Sequence, residues 1–593
     1  MASQSGSSPS ALDKRRHSLA HLLAAAIRDL YPNTLPTIGP ATDNGFYYDF
    51  DFNGTAVGED ALAAIESKMK KLLPSWTTFE GKKVSADEAR TAFAQNKYKL
   101  ELIDEIEKSG EQIMLYTSGD FTDLCRGGHM ETMADIAADS FKLDRIAGAY
   151  WRGSEKNAML TRIYGLAFEN KTELEAYIVQ QEEAKKRDHR KIGKDLDLFV
   201  FSDTVGKGLP LWTEHGATIR RELERFIVDE EIRRDYKHVY TPDIAKIDLY
   251  KKSGHYPYYK DSMYSPIEID EDQYMLRPMT CPHHFELYLS KPRSYRELPM
   301  RIAELAKLYR YEQSGELSGL VRVRSFCLAD AHIICADPAQ AASEVNQALD
   351  LIEHLANIFG LKMGANYSYR LSLGDRTDES KYFKDDAVWD TAEEALRTVL
   401  KNRNATFVEA ANEAAFYGPK IDIQMTDVRG KENTAFTVQY DFVMPKRFEL
   451  TYIAEDGKSK EAIVIHRSSI GAIERIIAFL IEHFAGNFPL WLSPVQVAVI
   501  PVGATHTQIA SEIAAALKST GLRVESRLEN DTLGKKIRAV KTEHIPYWIV
   551  VGDKEVESGM YAAEHRSGEK TPAQTIEGIS TTLLTEIKEK RIK

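Results

Sequence analysis

The sequence has 593 residues, more than one hydrophobic core usually supports, so we expect roughly three or four domains. Its composition, with 43% hydrophobic and 28% charged residues, is ordinary for a globular protein, and no apolar run is long enough to span a bilayer, which excludes a membrane protein. The net charge of -12 argues against nucleic-acid binding over the whole surface, because phosphate contacts need clustered lysine and arginine.

The N-terminus is a short polar segment that lacks the apolar core of a secretory signal and the arginines of a transit peptide. We therefore expect residues 1–10 to be disordered and the protein to be cytoplasmic. The four cysteines are too few for a disulfide scaffold in so long a chain, and they suit a reducing compartment. Free thiols or metal ligands are the roles that remain for Cys125, Cys281, Cys327 and Cys335.

Mixed helices and strands predict an α+β first domain over residues 11–180. Apolar spacing is helical from Ser18 to Leu30. Aromatic and polar residues then alternate from Phe46 to Phe52, which indicates a half-buried strand. Residues 181–194 end a charge-rich segment and are predicted to form a linker helix. Their basic side chains could bind phosphates or could form an ordinary solvated helix face.

The second half of the chain divides into two further domains. Long amphipathic helices, at 216–235 and 344–359, mix with alternating strands over residues 195–490, a pattern typical of an antiparallel sheet packed by helices. Strands and helices then alternate over residues 491–593, which predicts a small α/β domain. The sequence as a whole therefore indicates a multidomain α+β protein.

Arginines cluster in the segment Leu308–Cys327, where glycines separate two strand-like runs and predict a hairpin. Alternation along a strand would place Arg310 with Glu312 on one face, and Arg322 with Arg324 on one face of its partner. Guanidinium groups suit triphosphate oxygens, and a carboxylate can accept from an adenine amine. The alternative is the wet face of an exposed hairpin.

A second basic feature lies in the segment AIVIHRSSIGAIERIIAFLIEHF. We expect a strand that ends near His466, a turn at Gly471, and an amphipathic helix with Ile473, Ile476, Ile477 and Leu480 on its core side. Arg475 falls near the start of this helix, where free N–H groups and the helix dipole favour anions.

These segments resemble the class II aminoacyl-tRNA synthetases. Arg310 with Glu312 resembles motif 2, Gly471–Arg475 (GAIER) resembles motif 3, and helix 216–235 resembles motif 1, the dimer-forming element. Similarity to the threonyl-tRNA synthetase family extends from about His17 to the C-terminus, through GAYWRG, RDHRKIGK, AFYGPKIDI and GDKEVESG. Because the similarity begins at the editing domain, we expect no counterpart of the ubiquitin-like domain that many members carry before it.

The resemblance implies an architecture, a reaction and partners. It implies an N-terminal editing domain, a class II antiparallel catalytic sheet and a C-terminal anticodon-binding domain at the bounds given above. The implied enzyme is a homodimer that activates L-threonine with ATP and Mg²⁺, transfers it to tRNA(Thr), and hydrolyses mischarged Ser-tRNA(Thr). Prolyl-type or histidyl-type synthetases, and a non-enzymatic RNA-binding regulator, are the alternatives.

The resemblance also implies roles in ATP binding. Arg310 would hold the α-phosphate, Glu312 the adenine amine and Arg322 the γ-phosphate. Phe326 and Arg475 would sandwich the adenine ring.

A zinc ion is implied in the threonine pocket, because an apolar pocket discriminates poorly between the isosteres threonine and valine. Three protein ligands with one open side would let zinc bind the substrate amine and hydroxyl. The ligand positions are Cys281, His332 and His466, although a lone cysteine or histidine is otherwise often a buried structural residue. The implied threonine-binding residues are Met279, Asp330, Tyr417 and Gln439.

Two positions depart from the family pattern. Leu328 stands where an amide is usual, in Leu-Ala-Asp-Ala-His, and Ala472 stands where motif 3 usually has serine. We expect activation to survive and threonine to bind somewhat differently.

Serine differs from threonine by one methyl group, so zinc cannot reject it and a second, hydrolytic site is expected. His17 and His21 lie on one face of a helix, and Cys125 and His129 (CRGGH) form a second pair. Two helix histidines with local partners are the simpler interpretation, but H-x-x-x-H with C-x-x-x-H matches the family's editing site, which is taken to work without bound metal. Lys99 and Asp123 fall at further family positions implicated in hydrolysis.

The C-terminal domain is expected to read unstacked anticodon bases. Asn530 and Glu555 are the candidate contacts, with Lys536 and Arg538. Glu564 stands where relatives often carry arginine.

Overall fold

The computed structural model describes residues 10–379 and 381–593. The chain forms two compact units, Met1–Glu182 and Glu183–Lys593, which are described separately. Among the helices of the described residues, none combines the length and apolar composition needed to cross a bilayer. The predicted disordered tail at 1–10 lies outside the described residues except for Ser10, which caps the first helix.

The first unit contains helices and two small antiparallel sheets, and the unit boundary falls within its last helix. The helices are α1 (Ala11–Leu30), α2 (Leu62–Leu72), α3 (Ala86–Ala92), α4 (Lys97–Ser109) and α5 (Lys171–Arg187). The strands are β1 (Leu35–Pro36), β2 (Ala41–Thr42), β3 (Gly45–Asp51), β4 (Glu80–Lys83), β5 (Met114–Ser118), β6 (Phe121–Leu124), β7 (Phe141–Tyr150) and β8 (Met159–Ala167).

Local sequence explains how α1 and β3 are placed. Ser10 and Asp13 form a reciprocal capping box that begins α1. The alternating aromatic residues predicted for β3 point inward, since Phe46, Tyr48 and Phe50 are fully buried against α1. This core fixes one face of α1, so the histidines along that helix have defined positions.

The second unit contains the remaining elements. Its helices are α6 (His189–Asp195), α7 (Glu214–Ile232), α8 (Ile247–Ser253), α9 (His255–Tyr258), α10 (Cys281–Leu289), α11 (Pro338–Ile358), α12 (Asp386–Asn402), α13 (Met444–Phe448), α14 (Ile473–His483), α15 (Thr507–Ser519), α16 (Leu533–Thr542), α17 (Asp553–Ser558) and α18 (Ile576–Lys588). Its strands are β9 (Phe199–Val200), β10 (Leu211–Trp212), β11 (Lys237–His238), β12 (Ile244–Lys246), β13 (Ile267–Ile269), β14 (Asp272–Leu276), β15 (Met300–Tyr309), β16 (Ser325–Cys335), β17 (Tyr367–Ser372), β18 (Phe407–Ala410), β19 (Lys420–Thr426), β20 (Glu432–Asp441), β21 (Thr451–Ile453), β22 (Ser459–Glu461), β23 (Ile463–Ala472), β24 (Val497–Pro501), β25 (Val524–Ser526), β26 (Tyr547–Val551) and β27 (Ala563–His565).

An eight-stranded sheet in the order β11-β15-β16-β23-β20-β19-β17-β18 forms the centre of this unit. The pairings from β15 to β17 are antiparallel, as predicted. Helices α7, α11, α12 and α14 share one large hydrophobic core with the sheet. The four core residues predicted for α14 are at most 2% exposed. Because one face of the sheet is covered in this way, side chains on its other face can line a cavity.

Two details of the predicted strands are wrong. The strand β23 does not end near His466 but continues to Ala472, so this histidine lies in its middle. The segment between β15 and β16 is a loop over residues 310–324, so Arg310, Glu312 and Arg322 are not alternating strand residues. The predicted antiparallel hairpin is present as β15 and β16, but its ladder ends with the bond from Arg310 N–H to Arg324 O, and bonds within the loop, such as Arg322 N–H to Ser318 O, replace it beyond that point.

The C-terminal part of the unit is a four-stranded sheet in the order β25-β24-β26-β27. The first three strands in this order are parallel and the last is antiparallel. The alternating strands and helices predicted for this region are present.

Candidate functional site

Three ligand-type side chains meet on the open face of the eight-stranded sheet. His332 on β16 and His466 on β23 are direct cross-strand neighbours. Cys281, the first residue of α10, faces them. All three are buried, and their potential ligand atoms lie within 4.8 Å of one another. Residues 51 and 134 positions apart in the sequence thus form one cluster.

Each histidine of this cluster has a hydrogen-bond partner behind it. His466 Nε2 lies 2.7 Å from Asp441 Oδ2. His332 Nδ1 lies 2.8 Å from Nδ1 of His284, whose Nε2 lies 3.2 Å from Glu304 Oε2. If the N–H groups point toward the two carboxylates, lone pairs remain on His466 Nδ1 and His332 Nε2. This carboxylate-to-histidine arrangement is typical of histidines that ligate metals.

The electrostatics of the cluster suit a bound divalent cation. Burial lowers the pKa of His332 well below its usual value, so its imidazole is neutral, the form that binds metal. Burial raises the pKa of the Cys281 thiol, and a divalent cation would reverse this by stabilising the thiolate. One sulfur and two nitrogens are a ligand set that zinc accepts, with a fourth position left for substrate.

A cavity of about 520 Å³ adjoins this cluster. It is large enough for a nucleotide and an amino acid. Its lining includes all twelve residues of the predicted ATP, threonine and metal sites: Met279, Cys281, Arg310, Glu312, Arg322, Phe326, Asp330, His332, Tyr417, Gln439, His466 and Arg475.

Strand β16 places side chains of different chemical type in succession along the cavity. Phe326, Leu328, Asp330 and His332 alternate along the strand and all line the cavity, with a bulge between Leu328 and Asp330 in the pairing with β23. The lining therefore runs from an aromatic ring, through an aliphatic side chain and a carboxylate, to the metal-type histidine. Burial raises the pKa of Asp330, which makes it a better hydrogen-bond partner for a hydroxyl.

Three guanidinium groups meet at the aromatic end of the cavity. Arg310 lies over the ring of Phe326, with its guanidinium carbon 5.2 Å from the ring centroid. Burial lowers the pKa of Arg475, and the charges of Arg310 and Arg322 lower it further. Glu312 is the nearby carboxylate, 4.0 Å from Arg322. Mutual repulsion of three cations is relieved when a polyanion binds, so this end of the cavity suits a triphosphate.

The two residues that depart from the family pattern, Leu328 and Ala472, are neighbours in the structure. Leu328 pairs with Ala472 across β16 and β23, and both line the cavity beside Phe326. They form an apolar stretch where a polar contact to substrate is usual in the family. Elsewhere in the lining, the Tyr417 hydroxyl donates to Gln439 Oε1 at 2.5 Å.

A second cluster lies in the first unit. Potential ligand atoms of His17, His21, Cys125 and His129 lie within 4.8 Å of one another. His17 Nε2 is 3.0 Å and His129 Nε2 is 3.5 Å from the Cys125 sulfur. The structure thus brings together the two pairs that the sequence predicts, one on α1 and one after β6.

Charged partners surround this second cluster. His21 Nδ1 lies 3.1 Å from Asp123 Oδ2, and Lys99 Nζ lies 2.5 Å from Asp123 Oδ1. Burial opposes protonation of His21, but the bonds to Asp123 and Cys125 outweigh it and raise its pKa to about 9. Burial also opposes ionisation of Cys125, but hydrogen bonds from His129, His17 and His21 lower its pKa to about 3. A thiolate beside a protonated imidazole is the form expected at neutral pH.

The predicted anticodon residues follow the parallel strands of the C-terminal sheet. Asn530 is exposed after β25, and Glu555 accepts a hydrogen bond from the Gly552 N–H at 3.0 Å after β26. Lys536 is only 5% exposed and its Nζ lies 3.4 Å from Pro501 O, so its predicted contact with a base is not supported. Arg538 is exposed.

Several residues at these sites were missed by the sequence analysis. His284, Glu304 and Asp441 support the metal-type cluster, and Tyr48 donates to Asp123 at 2.6 Å in the second cluster. Only His284 could have been identified from the sequence, because it lies three residues after the metal-type cysteine in MTCPHH. The others come from distant strands whose pairing the sequence does not specify.

Comparison with protein families gives three matches. Residues 264–484 match the class II core domain of tRNA synthetases for G, H, P, S and T. Residues 496–586 match the anticodon binding domain, and residues 113–164 match the second additional domain of threonyl and alanyl tRNA synthetases.

Curated relatives are threonine–tRNA ligases. The chain is 47% identical to that of Geobacillus sp. (strain WCH70) over 98% of this chain and 89% of the relative, and 49% identical to that of Staphylococcus aureus (strain JH9) over 93% and 84%. A solved structure titled as the RNA binding domain of threonyl-tRNA synthetase from Cryptosporidium parvum Iowa II is similar with a TM-score of 0.64 and 32% identity, over 67% of this chain and 98% of that chain.

These matches confirm the predicted fold class, with its class II core, anticodon-binding domain and editing domain, and the predicted enzyme class. The prolyl-type, histidyl-type and non-enzymatic alternatives are set aside by the extent of the identity to threonine–tRNA ligases. The chain belongs to the threonyl-tRNA synthetase family of class II aminoacyl-tRNA synthetases.

Proposed function

We propose that the 520 Å³ cavity activates L-threonine with ATP, accompanied by Mg²⁺, and that a zinc ion held by Cys281, His332 and His466 selects the amino acid. The observation that carries this proposal is that three guanidinium groups and a Cys-His-His cluster line one cavity. Zinc at this position would supply a Lewis-acid site for the amine and hydroxyl of threonine, which valine cannot match.

Different residues of the cavity have different roles in the activation of threonine. Arg310 binds the α-phosphate and Arg322 the γ-phosphate, so that both stabilise charge as the threonine carboxylate attacks the α-phosphorus and pyrophosphate leaves. Glu312 accepts from the adenine amine, and the adenine ring stacks between Phe326 and Arg475. No general base is needed, because the attacking carboxylate is already ionised.

The threonine end of the cavity fixes the orientation of the substrate. Asp330 accepts a hydrogen bond from the threonine hydroxyl, and Tyr417 assists the amino group. Burial raises the pKa of Tyr417 well above its usual value, so its hydroxyl remains a proton donor. Met279 and Gln439 complete the walls.

The cluster of His17, His21, Cys125 and His129 hydrolyses Ser-tRNA(Thr). Hydrogen-bonding side chains packed around a thiolate and an imidazolium can position and polarise a water against the ester. Asp123 supports this by holding His21 in its protonated form, and Lys99 fixes the position of the Asp123 carboxylate by binding its other oxygen. The tRNA is read through its anticodon by Asn530 and Glu555.

We extend the proposal to the assembly and location of the enzyme. The resemblance of α7 to motif 1 supports a homodimer. The four free cysteines support a location in the cytoplasm, which is a reducing compartment. Domain bounds of 11–180, 181–194, 195–490 and 491–593 remain predictions from the sequence.

Replacing Cys281 by alanine tests the zinc assignment. We expect the purified wild-type chain to contain one zinc and to catalyse threonine-dependent ATP–pyrophosphate exchange. Removal of one of three ligands should lower zinc occupancy, and exchange with threonine should fall about 100-fold because the amine and hydroxyl lose their common partner. Metal content by atomic emission and exchange with threonine and valine are the measurements.

The matched control is Cys335→Ala, which removes another buried thiol from the same strand as His332. This variant should keep its zinc and its exchange activity. A Cys281→Ala protein with full zinc and unchanged discrimination against valine would refute the assignment.

A further inference from the structure

His189, at the start of α6, is a buried histidine for which the proposed reaction has no use. It is 3% exposed and lies outside the set of described residues that line the 520 Å³ cavity. Its Nδ1 lies 2.7 Å from Glu482 Oε1 on α14. Its Nε2 accepts a hydrogen bond from the backbone N–H of Leu320 at 3.1 Å. Both ring nitrogens are therefore occupied, one by a helix and one by the loop between β15 and β16.

These two bonds determine the protonation of the ring. An acceptor nitrogen carries no proton, so Nε2 is bare and the single proton of a neutral imidazole sits on Nδ1. Nδ1–H then donates to the Glu482 carboxylate, which selects this tautomer and fixes the plane of the ring. The bond to Glu482 thus orients His189 Nε2 so that it can accept from the Leu320 N–H.

The loop is held at the next residue as well. The Val321 carbonyl, which follows Leu320, accepts from Arg475 Nε at 3.1 Å. Arg475 and Glu482 are seven residues apart on α14, which is close to two helical turns and puts both on one face. One helix therefore holds two successive loop residues, directly through Arg475 and indirectly through His189.

The backbone of the loop passes unusually close to this ring. Gly319 has a φ of +48°, and a Cβ at that position would lie 2.1 Å from His189 Nε2. A side chain is thus excluded by both the backbone conformation and the ring. The fit indicates that the loop is seated against His189 rather than packed near it loosely.

A metal ion is the competing explanation, since ligand atoms of Asp188, His189 and Glu482 lie within 4.8 Å of one another. The Asp188 carboxylate, however, already pairs with Arg190 at 2.6 Å and with Arg429 at 3.2 Å. With the imidazole also fully engaged, the group is a hydrogen-bond network that needs no cation.

We propose that His189 is a positioning residue, oriented by Glu482, that holds loop residues 318–322 at the aromatic end of the cavity and thereby sets the affinity for ATP. The inference deepens the proposed function and rests on it, because Arg322 and Arg475 are assigned there to the nucleotide. His189 itself does not line the 520 Å³ cavity; it lines a neighbouring cavity of about 430 Å³, which also includes Arg322 and Arg475 in its lining.

The variant His189→Leu tests this by removing both hydrogen bonds, while His189→Gln keeps an acceptor near the Nε2 position. In pyrophosphate exchange, His189→Leu should raise the KM for ATP about tenfold, because the loop itself loses one hydrogen bond, the one from Leu320. The KM for threonine should be unchanged. His189→Gln should restore most of the ATP affinity. Lys191→Ala, an exposed neighbour on α6, is the control and should match the wild type.

A double-mutant cycle separates positioning from general packing. If Glu482 acts through His189, then Glu482→Ala should weaken ATP binding in the wild type and add little in the His189→Leu background. Parallel rises in the KM values of ATP and threonine, or an additive cycle, would overturn the proposal.

Hydrogen exchange on the full chain gives a readout that needs no activity. The amide of Leu320 should exchange faster in His189→Leu than in the wild type and His189→Gln, whereas amides of β16 should be unchanged. Absence of pyrophosphate exchange in the wild type would refute the proposed function, and equal amide exchange at Leu320 in all variants would refute the role of His189.

Discussion

Four side chains from two parts of the first unit determine one another's protonation. Cys125 lies beside three histidines, and its pKa is lowered to about 3 although burial acts the other way. The pKa of His21 is raised to about 9 by Asp123 and Cys125 against the same effect of burial. His21 therefore stabilises the fold fully below its unfolded pKa of roughly 6.5, and this stability is lost as pH rises through about 9.

Replacing His17 and His21 together by alanine should remove the hydrolysis of Ser-tRNA(Thr). The two rings supply the hydrogen bonds and the positive charge beside Cys125, and acid–base groups of this kind typically contribute about 100-fold or more to a rate. Deacylation of Ser-tRNA(Thr) by the purified variant is the measurement. Threonine-dependent pyrophosphate exchange should be unaffected, because the cavity that carries it lies in the other unit.

Lys14→Ala on the exposed face of α1 is the matched control and should hydrolyse Ser-tRNA(Thr) at the wild-type rate. Hydrolysis that survives in the double variant would remove the cluster from the proposed mechanism.

At the scale of elements, the junction of β23 and α14 depends on a glycine. Gly471 has a φ of +68°, and a Cβ there would lie 2.2 Å from the Ala435 carbonyl oxygen on the neighbouring strand β20. The close approach lets the chain leave the sheet and begin α14 within two residues. Arg475 reaches the cavity because the helix begins at this point.

The substitution Gly471→Ala should therefore destabilise the catalytic core by about 3 kcal/mol, combining a left-handed backbone penalty with a clash against backbone. Gly457→Ala is a matched control, since its φ of +76° is similar but nothing lies within 4 Å of its Cβ. This control should lose only about 1 kcal/mol. Urea midpoints measure both, and equal losses would show that the clash is relieved by movement of β20.

Patterns that depend on one element were predictable, and arrangements between elements were not. Alternation correctly placed the aromatic residues of β3 inward, and helical spacing correctly placed the core face of α14. The antiparallel hairpin of β15 and β16 was predicted correctly, but its arginines were expected on the strands, because strand-like runs look alike in a strand and in a long loop. The metal-type cluster came from the family resemblance, since no local pattern connects Cys281 to a cross-strand pair of histidines.

At the scale of the whole molecule, the two proposed chemistries belong to separate compact units. The cluster around Cys125 lies in Met1–Glu182 and the ATP cavity in Glu183–Lys593. Each cluster is formed by residues of its own unit, so substitutions in one should act additively with substitutions in the other. This separation is what makes each activity a control for the other.

The proposal includes a second copy of the chain, and the exposed side chains suggest where the two copies would meet. Tyr240, between β11 and β12, is 94% exposed, and Ile267 and Ile269 on β13 are 46% and 48% exposed. Tyr240 precedes β12, which belongs to the same three-stranded sheet as β13, and exposed apolar side chains are often buried at protein interfaces. We expect light scattering to give twice the mass of one chain at micromolar concentration.

The substitution Tyr240→Asp should shift that mass toward the monomer, because a buried unpaired carboxylate at an interface costs several kcal/mol. Val408→Asp is the matched control, since Val408 is 62% exposed on β18, at the opposite end of the eight-stranded sheet from β11. A dimer that persists in Tyr240→Asp and dissociates in Val408→Asp would move the interface to the other edge of the sheet. A wild-type protein that is monomeric at all concentrations would refute the homodimer itself.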